Sequence, residues 1–128
     1  MGNFSVTFHS ASREMSTREK LKIRDISDST KLDEVTSNGN TVIITPVAYA
    51  ILNVHNEKSD SKDYHTYVIE DKDGTKYYTG SEPFWDSFEE IWEAMDDSEE
   101  DIGTWSIKVY KKDSKNYKGK QFLTCTIV

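Results

Sequence analysis

At 128 residues the chain has the size of one domain, 1–128, which can bury a core without disulfides or metal. Its 35% hydrophobic and 12% aromatic content argues against disorder, and one cysteine rules out an internal disulfide framework. A net charge of -7 argues against a protein that grips duplex DNA over its whole surface, and no apolar run reaches membrane-spanning length.

The first fifteen residues read as a strand, Phe4–Phe8, and a polar link that is a candidate peripheral arm. Ser16-Thr-Arg-Glu19 has the form of a capping box and predicts a helical turn through Leu21. Leu21, Ile23 and Ile26 continue as a short amphipathic segment that fits helix or strand. Residues 28–40 are polar, with a turn signal at Asn38-Gly39. Thr41–Val54 is rich in β-branched residues and predicts a long strand, with an edge, bend or bulge at Pro46. Tyr64–Glu70 and Lys76–Thr79 read as strands joined by a tight turn at Asp73-Gly74. Ser81 or Glu82 can cap a helix that has Pro83 in its first turn and fades by Asp96. Phe84, Phe88, Ile91, Trp92 and Met95 form its apolar stripe, with Trp85 at the margin and Asp86, Glu89, Glu90 and Glu93 opposite. An acidic loop, 96–103, leads to two final strands, Trp105–Tyr110 and Phe122–Val128.

This order predicts a mainly β fold: an oligonucleotide-binding-type barrel of five antiparallel strands, with a helix between the third and fourth. A bent Thr41–Val54 strand suits barrel closure. A small α+β fold with a helix across an antiparallel sheet is the alternative.

Charge is unevenly distributed. Residues 82–101 hold ten acidic side chains and no basic one, and without them the chain is slightly basic. Lys108, Lys111, Lys112, Lys115, Lys118 and Lys120 face only Asp113 in the final hairpin, beside Tyr110, Tyr117 and Phe122. Ammonium groups for phosphates and rings for bases suit a single-stranded nucleic acid. A solvated hairpin tip, lysine-rich because lysine protects edges, accounts for the same residues. Tyr77 and Tyr78 are adjacent on a strand and point to opposite faces, so one is a candidate stacking platform unless both faces are covered.

Catalytic patterns are weak, and no enzyme activity, metal or cofactor is expected. Glu70-Asp71-Lys72, with Asp63 upstream, has the acidic-x-Lys form of metal-dependent nucleases, but the adjoining Asp73-Gly74 makes a hairpin turn the simpler reading. His55 and His65 bracket a charged loop without partners at metal spacing, and His9 has no evident partner. Cys125 alternates with Thr124 and Thr126, as a small core residue does.

Tyr78-Thr-Gly-Ser-Glu-Pro-Phe-Trp-Asp-Ser-Phe and Ile107-Lys-Val-Tyr-Lys-Lys-Asp-Ser-Lys-Asn-Tyr-Lys-Gly-Lys-Gln-Phe-Leu-Thr-Cys, in the second half of the chain, resemble small single-stranded DNA-binding proteins of phages of Gram-positive bacteria. The resemblance implies a barrel that coats single strands in DNA replication or recombination, in the host cell cytoplasm. The single cysteine and an N-terminus without a secretory pattern also fit a cytoplasmic location. Such proteins often end in a flexible acidic tail, whereas here the acidic stretch is internal. The rival expectation is an acidic protein-binding module, its helix and loop mimicking nucleic acid to dock on host or phage replication proteins.

Overall fold

A computed structural model describes residues 4–58 and 62–128. Over these residues the chain is mainly β, with two sheets and one main helix. In chain order it runs β1 (Phe4–Ala11), α1 (Thr17–Arg24), β2 (Thr30–Lys31), α2 (Leu32–Val35), β3 (Val42–Ile44), β4 (Pro46–Asn56), β5 (Asp63–Asp71), β6 (Lys76–Thr79), α3 (Glu82–Asp97), β7 (Ile107–Asp113) and β8 (Gln121–Ile127). One sheet has the order β1-β4-β5-β6-β2 and the other β3-β7-β8. Among the described residues no ladder joins β6 to β8, so the strands do not close into the expected barrel ring.

The predicted long strand divides at Thr45. Pro46 cannot donate to a ladder, and the register shifts between Pro46 and Ala48, so the chain turns from the small sheet into the large one there. The Thr45 N–H donates to the Asp71 carboxylate at 3.3 Å, pinning the corner.

Two cores follow from the alternation of side chains along β4 and β5. Tyr67 and Ile69 face α3 and the small sheet, in a cluster with Phe84, Trp85, Phe88, Trp105, Ile107, Val109, Leu123 and Cys125. Ala50, Leu52 and Val68 face the other way, against Ile23 of α1, with Val6, Phe8 and Ile26 around them. α1 forms because both arms of its capping box are made: the Glu19 N–H donates to Ser16, and the Ser16 N–H donates to Glu19. It runs eight residues, beyond the single turn expected, and buries Ile23 while leaving Leu21 exposed.

α3 starts where the Ser81 hydroxyl accepts the Phe84 N–H. Trp85, expected at the margin, is buried, because the helix is wedged between sheets and needs apolar residues on more than one stripe. Its ring stacks on Tyr67 at 4.5 Å, while Trp92 meets Trp105 edge-on at 5.8 Å. Fully burying a side chain such as Phe84 or Phe88 contributes roughly 1.5–3 kcal/mol.

The polar stretch 28–40 holds more structure than expected. β2 pairs in parallel with β6, and Leu32 and Thr36 are fully buried. The turn signal is correct: Asn38 and Gly39 both have positive φ. β7 begins at Ile107 rather than Trp105, although Trp105 is buried in the first core.

Candidate nucleic-acid interface

Period-two alternation sorts the basic strand. Ile107 and Val109 are buried, so Lys108, Tyr110 and Lys112 project from the opposite face of β7. Lys108 Nζ lies 5.3 Å from the centre of the Tyr110 ring. Lys112 is paired across the ladder with half-buried Phe122, and Lys108 with Thr126. Lys111 falls on the inner side, and its ammonium donates to the Asp33 carbonyl at 2.9 Å. It thus has a structural contact that the sequence pattern did not show.

Lys115, Tyr117, Lys118 and Lys120 lie in the connection between β7 and β8, all exposed, with Tyr117 at 67%. The tip is bonded to itself: the Ser114 N–H donates to the Lys120 carbonyl at 2.9 Å, and the Lys120 N–H to the Tyr117 carbonyl at 3.0 Å. Gly119 has φ +80°, which lets the chain reverse. Among the described residues none of the six lysines makes an ion pair.

Tyr77 and Tyr78 are each half-buried, because β6 is covered on both faces. Tyr77 packs against the first core, and burial raises its phenol pKa, helped by the charges of Asp71 and Asp73. Tyr78 packs at the margin of the second core and lines a groove with Phe4, Tyr64 and Lys31. That groove combines rings with an ammonium on the outer face of the large sheet. Sequence reasoning missed Phe4, Tyr64 and Lys31 as a group. Lys31 reaches the groove only because β2 pairs with β6, and a two-residue strand leaves no periodic signal.

The opposite face of the large sheet carries His9, His55 and His65. His9 stacks on His65 at 5.3 Å. His55 is held between Asp63 and Glu57, both at 2.7 Å, and these hydrogen bonds raise its pKa. Among the described residues no group of three His, Cys, Asp or Glu side chains could hold a metal ion.

The Glu70-Asp71-Lys72 segment is built into a turn. The Asp71 N–H donates to the Thr75 carbonyl at 2.8 Å, and Asp73 accepts the Thr75 N–H at 2.8 Å. Asp63 and Asp71 are the two ends of β5, which at about 3.3 Å per residue puts them too far apart to share a metal ion. The Cys125 thiol is buried, and desolvation pushes its pKa up to about 12, far from a nucleophile's range.

The acidic side chains Asp86, Glu89, Glu90, Glu93, Asp96 and Asp97 are exposed along α3. Tyr67 donates from its hydroxyl to Glu82 at 2.8 Å, at the start of the helix. No helix is long and apolar enough to cross a membrane among the described residues. No protein-family model matches this chain, and no curated protein or solved structure matches it at a significant level.

Proposed function

We propose that this chain is a non-enzymatic single-stranded DNA-binding protein of phage replication or recombination, acting in the host cell cytoplasm. The observation that carries the reading is the β7–β8 hairpin. Six lysines, free of ion pairs among the described residues, sit with Tyr110, Tyr117 and Phe122 on an otherwise acidic protein. Ammonium groups at the tip and on the outer face of β7 contact phosphates, while rings stack on bases.

Strand pairing supports an open oligonucleotide-binding barrel. Taken through the corner at Thr45, the paired order is β8–β7–β3/β4–β5–β6, with α3 between β6 and β7. The oligonucleotide-binding fold is a partly open five-stranded barrel that binds on its second and third strands and adjacent loops. Here the equivalent strands are β5 and β6, which hold Tyr64 and Tyr78, and the loop between the last two strands is the lysine-rich tip. Mobility shifts of labelled single-stranded and duplex oligonucleotides, at low and moderate salt, test the reading. A shift restricted to single strands supports it, and no shift at low salt rejects it.

The exposed acidic face of α3 favours a second reading, a docking surface for a basic replication protein. None of its carboxylates is in an ion pair among the described residues.

A further inference from the structure

We propose that the outer edge of β1 is a docking edge for a second copy of this chain, joined by antiparallel pairing of β1 with itself. β1 ends the five-stranded sheet. Its inner edge is bonded to β4 from Phe4 to Ala11, and among the described residues no strand lies on its outer edge. Such an edge presents a row of backbone donors and acceptors, which monomeric proteins blunt with charge, proline, short length or a bulge, and β1 has a register shift only after Phe8. Phe4–Ala11 has no Lys, Arg, Asp, Glu or Pro and is eight residues long. The other terminal strands are shorter or covered: β2 has two residues, β3 has three, and β8 is flanked by α3, whose Ser87 hydroxyl lies 3.3 Å from that of Thr124.

The sequence of β1 is complementary to itself. Its register against β4 shifts between Phe8 and Ser10, so the regular part is Phe4–Phe8. Pairing this part antiparallel about Val6 puts Phe4 opposite Phe8 of the second copy and Ser5 opposite Thr7. Phe4, Val6 and Phe8 share one face, where Val6 and Phe8 pack on the second core and Phe4 remains 58% exposed. The second copy covers that ring. The net charge of -7 opposes association at long range, but its carboxylates are concentrated on α3 and the loop after it. The pairing does not rest on single-strand binding.

The test is the solution mass of the full chain by light scattering over a concentration series. The expected mass is twice 14.7 kDa. Ser5→Lys with Thr7→Lys sets like charges opposite one another in the pairing and is expected to return the monomer mass. Both positions are exposed, so the melting curve should stay close to that of the unaltered chain. Ser5→Lys with Thr7→Glu sets opposite charges across the pair and should restore the doubled mass. A wild-type mass of 14.7 kDa throughout, or a doubled mass for the double-lysine variant, overturns the proposal. A dimer that fails to shift single strands would reject the proposed function alone. A monomeric wild type that shifts them would reject the β1 pairing alone.

Discussion

Lys111 donates to the backbone carbonyl of Asp33 at 2.9 Å, across 78 residues of sequence. On the other side, the Asp33 carboxylate accepts the Thr79 hydroxyl at 2.8 Å. One residue therefore ties β7 of the small sheet to β6 of the large one, two strands that no ladder joins among the described residues.

The two halves of that tie differ in energy. Thr79 is 1% exposed, so Asp33→Ala leaves its O–H without an acceptor, although the oxygen still accepts the Ser81 N–H, and should cost about 1–3 kcal/mol in urea unfolding. Lys111→Met keeps the aliphatic stem and removes only one donor from a half-buried site, so its expected cost is about 1 kcal/mol or less. Equal costs would contradict this assignment.

Phe88 has no exposure and contacts the rings of Phe84, Trp85, Trp92 and Tyr49. Phe88→Ala should destabilise the chain by about 3–5 kcal/mol, since both the transfer and the cavity terms apply. Glu89→Lys with Glu93→Lys, on the exposed face of the same helix, should leave the melting curve nearly unchanged. If α3 is a docking face, that pair also abolishes capture of a basic replication protein in a pull-down.

The hairpin joining β4 to β5 should respond to pH through His55. Its pKa is raised above the ordinary 6.5, first by Asp63 and then by Glu57. The stabilising contribution is therefore complete below pH 6.5 and fades as pH rises through the raised value. Glu57 lies below its ordinary 4.5, first because of His55, so its share is present above pH 4.5 and is lost on stronger acidification. The imidazole should titrate above 6.5 by NMR, and His55→Gln should remove the decline in stability on the alkaline side. An imidazole titrating at or below 6.5 would contradict the clamp.

Much of this was legible in particular residues. The capping box at Ser16 and Glu19 marked α1, and Ser81 with Pro83 marked α3. Pro46 marked the corner because a missing donor is a local property. The region around Leu32 was not legible. One buried leucine in a polar segment has no periodicity, and its burial depends on β6 and β7, which lie far along the chain. The separation of Lys111 from Lys108 and Lys112 follows from strand alternation, but its contact with Asp33 does not. The seam between β6 and β8 is likewise a matter of tertiary geometry, on which element order is silent.

Charge and stacking within the basic hairpin should separate by their salt dependence. Single-strand binding loses about 0.7 in log-log salt slope per phosphate contact removed. Lys112→Ala with Lys115→Ala and Lys118→Ala should flatten the slope by about 2 if all three touch phosphate. Tyr117→Ala should cost about 1–3 kcal/mol in binding and leave the slope nearly unchanged. If the triple variant keeps its affinity and slope, the tip is a solvated turn and the interface lies elsewhere.

The most direct measurement is titration of the intrinsic tyrosine and tryptophan fluorescence with oligo(dT) at low salt, repeated with a duplex of equal length. Single-strand binding predicts quenching by oligo(dT) that weakens as salt is raised, with a much smaller response to the duplex. Unchanged fluorescence, together with no mobility shift at low salt, would contradict it.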